Sequence, residues 1–310
     1  MNAQVNTPLS TQVNALIVLI RREFWEHRAL WMAPAAVAVL YIVACVFLTT
    51  IHTPLLAFNG GEGPQLAGGI MAMLSATQLM FTTLLLMVMS VILFYYLGDC
   101  LYAERKDRSI LFWKSLPVSD TATVFAKLLV AAVVVPVGSV LLGLITSVLA
   151  FGILYARFHS LPFIQNMNWG STGAFLNMNL LLLADVIAMA LWYAPFFGYQ
   201  LIVSAWAKNA VMVWTLLPPL VIILGEKLIF NSWHAAQLLV YRLGSFIVDL
   251  SGVQGSGIGL QRNPASGMGD IVGNINMLPL LLRADLWIGV VIAAVLIFGA
   301  IRIRRYRDDT

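Results

Sequence analysis

The sequence predicts an all-α polytopic membrane protein. Six transmembrane helices are joined by an N-terminal interfacial helix, a short cytoplasmic helix between spans two and three, and an outer re-entrant or amphipathic segment. Three observations predict this. The 310 residues are 60% hydrophobic and only 10% charged, with a mean hydropathy of +0.88. A soluble domain carries about 25% charged residues, so this excess of apolar side chains needs lipid around it. Apolar runs long enough to cross a hydrocarbon core of about 30 Å recur along the chain. The basic residues gather at the ends of those runs. Thirteen of the 18 fall on one predicted side, from Arg21 to Arg307, and Arg157, Lys227, Arg242, Arg262 and Arg283 fall on the other. Basic residues concentrate on the cytoplasmic side, which puts both termini there. The net charge of +4 therefore marks topology and implies no nucleic-acid partner.

Residues 1–30 are read as a cytoplasmic N-terminus and interfacial helix. A helix is expected from Ala15 to Leu30. Leu16, Ile20 and Phe24 recur at i, i+4 and i+8, with Arg21, Arg22 and Arg28 off that stripe and Glu23 and His27 intruding at its edge. The stripe is expected to lie in the acyl boundary and the arginines to face anionic headgroups. No cleavable signal peptide is expected, because Ala15–Ile20 is a short apolar run that meets Arg21-Arg22 at once.

The transmembrane domain is read as 31–303, with spans near 31–51, 79–98, 124–155, 176–206, 211–230 and 286–303, and a cytoplasmic tail at 304–310. The glycine-rich stretch after span one carries Glu62 as its only charge. Span three contains Pro136, which removes a backbone donor and is expected to kink it. At 1.5 Å per residue span three is about 48 Å long, more than the bilayer core requires. Span four contains Asp185 and Pro195, and a tight turn at Ala207–Ala210 leads to span five with Pro218-Pro219. The outer segment 231–285 begins with a candidate amphipathic or re-entrant helix, Trp233–Leu250, and continues through a glycine-rich part. Cys45 and Cys100 fall inside or at the inner end of spans and imply no disulfide framework.

The segment 103–123 concentrates the charge. Glu104, Arg105, Lys106, Asp107 and Arg108 come in succession, and Ile110, Leu111, Phe112, Trp113 and Lys114 follow. Ser115, Leu116 and Pro117 break the run, and Ser119 or Asp120 can cap the next helix through a side-chain oxygen. A short amphipathic helix over about 109–115 can rest its Phe-Trp face on headgroups. It can equally bury that face in a soluble partner, where aromatics ringed by charge carry much of the affinity.

Known catalytic patterns are missing. GxxxxGK[ST] and HExxH do not occur, and the four histidines, His27, His52, His159 and His234, are scattered over both sides. Two acidic residues are candidates for a polar path or gate. Asp185 lies about 13 Å into span four, where insertion costs about 2.5–3.5 kcal/mol; it can face a polar path or hydrogen-bond a neighbouring helix. Glu226 lies near the outer end of span five, where pairing with Lys227 or snorkelling also explains it.

Six spans, an inner-face amphipathic helix before the first, and a charged segment with Ser115-Leu116-Pro117-Val118-Ser119 between the second and third together resemble the membrane subunit of type-2 ABC exporters, the ABC-2 permeases. The resemblance covers the organisation of the whole chain. It implies that Glu104–Pro117 is a coupling segment docking on a separate cytoplasmic ATPase, with Ile110–Leu116 in contact. It implies that Ile17–Arg28, with Arg21, Arg22, Glu23, Phe24 and Arg28, is a connecting helix touching the same partner. The expected assembly is two permease copies, or one with a close paralogue, and two ATPases in a bacterial inner membrane, in contact with membrane lipid. ATP and Mg belong to the partner; this chain is expected to bind no cofactor and to catalyse no reaction. An ion-coupled secondary transporter or a non-catalytic membrane scaffold are the alternatives.

Overall fold

The computed structural model describes residues 9–51, 69–110, 119–159, 165, 172–250 and 281–306. In chain order its main helices are α1 (Leu9–Glu26), α2 (Ala29–Ile51), α3 (Gly69–Lys106), α4 (Asp120–Leu129), α5 (Val135–Phe158), α6 (Thr172–Trp206), α7 (Val211–Phe230), α8 (His234–Leu250) and α9 (Ala284–Tyr306). A π-helical turn, Val130–Val134, joins α4 to α5. Among the described residues, six stretches are long and apolar enough to cross a membrane: Ala29–Phe47, Thr77–Lys106, Asp120–Arg157, Phe175–Trp206, Val211–Phe230 and Ala284–Tyr306. The chain is a multi-pass membrane protein on that basis.

Several boundaries differ from the sequence expectation: α1 begins at Leu9 and not Ala15, α3 begins at Gly69 and not near 79, and two further differences have a clear physical reason. Span two was expected to end near Gly98, but α3 continues to Lys106. Its charged last turns find partners inside the protein, so helix continues where hydropathy stops. The chain then turns at Arg108, whose φ of 56° is left-handed. Span three begins at Asp120 instead of Val124. Ser119 caps it, accepting from the Ala122 amide at 3.1 Å.

Pro136 acts differently from a simple kink. A proline ring displaces the carbonyl four residues earlier, here Ala132, and supplies no N–H. The helix absorbs both demands by widening, and the Val135 amide bonds back to Val130 O. This π-turn lets one rod of 38 apolar-dominated residues run on. That is about 57 Å at helical rise, so it projects beyond the bilayer.

The N-terminal helix faces inward. Leu19 is buried, and Ile20 and Phe24 pack on the principal core, which joins Leu30, Met89, Leu97, Val124, Val130, Leu201 and Ala300. The stripe expected in the acyl boundary is therefore spent on the helix bundle. Ile17, Val18 and Trp25 are exposed instead, with Arg21 stacked over Trp25 at 5.1 Å.

The rod and α3 form the centre. The α3 helix packs on α5 and α6, α2 packs on α5, and α9 lies along α6. Gln78 of α3 donates to Asn179 of α6 at 2.6 Å. The α7 helix is peripheral, with 6% of its apolar window buried. The helix expected over Trp233–Leu250 is α8. Trp192 and Tyr193 of α6 hold it by donating to the carbonyls of Arg242 (2.7 Å) and Leu243 (2.9 Å).

Candidate functional site

Charged side chains from four separated stretches meet at the end of the bundle where α1, α4 and α9 converge. Lys127 is fully buried, and its Nζ lies 2.8 and 2.9 Å from the two Glu23 carboxylate oxygens and 3.1 Å from Glu104 Oε1. Tyr96 donates its hydroxyl to Glu23 Oε2 at 2.9 Å. Arg304 donates from Nη1 to Glu104 Oε2 and from Nε to Asp120 Oδ1 at 3.1 Å. Arg22 reaches Glu104, Glu23 (3.2 Å) and Glu26 (3.0 Å). The network thus links α1, the end of α3, the start of α4 and the last turn of α9.

Local sequence explains each placement. Glu23 shares the inward face of α1 with Leu19, Ile20 and Phe24, so packing that face carries the carboxylate inside. Lys127 lies two turns into α4, on the face that buries Thr123, Val124 and Ala126. Its long stem passes through the apolar core. Buried charges persist only when paired and hydrogen-bonded, and Glu23 and Lys127 are both. The remaining carboxylate, Glu104, receives three cations.

The outer rim shows how burial and charge compete. Burial alone would lower Arg22, but Glu104, Glu23 and Glu26 together raise it above its ordinary value. Burial raises Glu26 despite Arg22 beside it. Burial pushes the His27 imidazole below its usual range, against the pull of Glu23. His27 also packs edge-on against Tyr96, with ring centroids 4.9 Å apart. Glu23, Glu26 and His27 bring one ligand atom each within 4.8 Å of one another. Both Glu23 oxygens already accept from Lys127, so a cation there would have to displace the lysine.

The proposed coupling residues divide into three groups. Glu104 and Arg105 are buried and bind within the chain; Arg105 donates to the carbonyls of Ser204 and Ala207, both at 2.7 Å, satisfying acceptors that the end of α6 leaves without an intrahelical partner. Lys106, Asp107 and Arg108 are exposed, and Ile110 is buried. Leu111, Phe112, Trp113, Lys114, Ser115, Leu116 and Pro117 lie outside the described residues. Of the interfacial residues, Arg22, Glu23 and Phe24 face the bundle, while Arg21 and Arg28 are exposed.

Asp185 and Glu226 do not join this site. Asp185 is buried in α6, and its Oδ2 has no partner among the described residues. Glu226 caps α8, accepting from Ser232 Oγ (2.6 Å) and from the amides of His234 (2.8 Å) and Ala235 (2.7 Å). Lys227 does not pair with it but bonds Asn231 Oδ1 at 2.6 Å and lies over the Trp233 ring at 5.1 Å.

Sequence reasoning missed Lys127, Asp120, Tyr96 and Arg304 as site residues. Lys127 and Arg304 look like topology charges. One signal was present: Lys127 lies inside the expected apolar span, where a cation needs a carboxylate. Compared with protein families, curated proteins and solved structures, the chain matches none.

Proposed function

We propose that the chain is the permease subunit of an ATP-driven exporter of the ABC-2 type, in a bacterial inner membrane with both termini cytoplasmic. It forms the translocation path as a dimer with itself or a close relative. Two copies of a separate cytoplasmic ATPase bind the ATP and Mg, and this chain catalyses no reaction itself. The observation that supports the reading is the hold on the coupling segment. Residues 111–118 are flanked by Glu104 and Asp120, and both carboxylates are held by Arg304 of α9. Glu104 also meets Lys127 and Arg22, which reach Glu23. A push on the segment is thereby delivered to α9, α4 and α1 together. To drive motion, the docking contact must differ in free energy between the partner's nucleotide states.

Affinity purification of the tagged chain in mild detergent tests this. A stoichiometric soluble ATPase should co-purify. Trp113→Ala should cost at least about 2 kcal/mol of that association if Trp113 anchors it. Charge reversal is best made at Lys106 and Arg108, which are exposed, since Glu104 and Arg105 are built into the fold. A clean preparation free of ATPase under gentle extraction overturns the reading.

One observation favours a second reading, an ion-coupled secondary transporter. The Asp185 carboxylate is buried in a membrane helix with one oxygen unmatched among the described residues, as a proton or cation relay requires. Normal transport by Asp185→Asn would eliminate it.

A further inference from the structure

A cavity of about 700 Å³ opens beside the ion network, where the α1–α2 junction meets α3 and the first turn of α7. Its polar rim holds Arg28, Asp99, Tyr95 and Tyr102, together with His27 and with Glu26, which Arg22 already holds at 3.0 Å, and its apolar wall includes Ile92 and Val213. Two features decide what fits. The Arg28 guanidinium and the Asp99 carboxylate are exposed, and neither side chain has an ion pair or hydrogen bond among the described residues. All the neighbouring charges of the network, by contrast, are matched. Among the described residues the cavity thus offers one cation and one anion with no hydrogen-bond or ion-pair partner, His27 acting on Asp99 only through space, with Tyr95 and Tyr102 rings on the side of the anion's own helix.

We infer that this cavity binds a zwitterionic phospholipid with a primary amine, the phosphatidylethanolamine class. Arg28 takes the phosphate, as a guanidinium does with paired acceptor oxygens. Asp99 takes the ammonium, and the tyrosine faces add cation–π attraction. The wall selects a lipid over a free zwitterion. Ile92 and Val213 belong to membrane helices, and Val213 remains 54% exposed, so an acyl chain continues from the headgroup along α3 and α7 into the bilayer. An anionic headgroup would leave Asp99 unmatched and repelled. The inference rests on this local chemistry and is independent of the exporter reading.

The test is native mass spectrometry of the full chain, equilibrated in detergent with equal amounts of phosphatidylethanolamine and phosphatidylglycerol of the same acyl chains. The ethanolamine lipid should be retained about tenfold better, which corresponds to one charge-assisted contact. Asp99→Asn should abolish the preference, and Arg28→Gln should lower retention of both lipids. N-acetylated phosphatidylethanolamine, which lacks the ammonium, should lose the preference on the unaltered protein, so the test survives a variant that fails to fold. Equal retention of the two lipids by the unaltered protein overturns the inference. So does a preference unchanged by both Asp99→Asn and N-acetylation. Competition by phosphoethanolamine as strong as that of the intact lipid overturns the lipid assignment.

Discussion

Arg304 and Asp120 are 184 residues apart in sequence, and their side chains meet at 3.1 Å. The same guanidinium takes Glu104. One side chain on the last helix therefore fixes the spacing of the two flanks of 111–118. It does so from two nitrogens of a rigid planar fork, Nε toward Asp120 and Nη1 toward Glu104, a fixed spacing that the single Nζ of a lysine does not reproduce.

Arg304→Met should be severely destabilising. It leaves two carboxylates short of a partner, and breaking a buried pair from one side costs about 3–5 kcal/mol. Thermal unfolding in detergent should show the loss. Hydrogen exchange should rise across 119–127, because the start of α4 is released. Arg304→Lys should recover only part of it, retaining one carboxylate contact. Full recovery by lysine would refute the bridging role.

The Glu23 and Lys127 pair predicts non-additivity. Each single change, Glu23→Gln or Lys127→Met, takes the nearest partner from a buried charge, leaving Lys127 to Glu104 or Glu23 to Arg22, and should cost up to about 3–5 kcal/mol. The double variant strands less and should be more stable than the sum of the two singles predicts, by about 0.5–3 kcal/mol as expected for residues in contact. Unfolding free energies of the four proteins in the cycle measure that coupling. Additive losses would mean that the two residues act on different parts of the network.

These two residues also show how far the sequence could be read. The six spans are legible because apolar length is a one-dimensional property, and α7 coincides with the expected Val211–Phe230. Pairing across the fold is not one-dimensional. Glu23 reads as a flaw in an amphipathic stripe until Lys127, 104 residues away, is brought against it. Which side of α1 faces the bundle was also hidden, since an apolar stripe fits lipid and protein equally. Glu226 reads as an intramembrane charge because its cap partners, Ser232, His234 and Ala235, lie beyond the span's end.

Acid should loosen α1 through His27. Burial lowers its imidazole from the ordinary value of 6.5, so the fold favours the neutral form. A group with a lowered folded value contributes fully above its unfolded value, and that contribution is lost as pH falls through the folded one. Glu23, Asp99 and Glu104 pull His27 toward charge, and Lys127 opposes them. Glu26 is raised, so its protonation favours the fold and opposes His27 at lower pH. Melting temperature should therefore fall between about pH 7 and pH 5, the region where histidine takes its proton. His27→Gln should flatten that decline, and Glu26→Gln should remove the opposing rise. A decline unchanged in His27→Gln would assign it to another group.

Gly289 reserves space at the opposite end of the molecule. A Cβ added there would lie 2.1 Å from Arg242 Nη2 and 3.0 Å from its Cζ. Arg242 cannot swing away freely. Its guanidinium stacks over Trp192 at 4.1 Å and its Nη1 donates to Asp285 O at 3.0 Å. Trp192 in turn holds the Arg242 carbonyl. Gly289→Ala should displace the guanidinium and loosen α8 from α6 and α9, at a cost of about 1–3 kcal/mol, as for overpacking elsewhere. Trp192 fluorescence and unfolding in detergent report it, because the stacked arginine leaves the indole. Adding Arg242→Leu, which removes the clashing atoms, should make the alanine nearly neutral in that background. A Gly289→Ala protein that melts and fluoresces like its parent would mean that α8 accommodates the methyl group by shifting as a unit, and that Gly289 does not set its position.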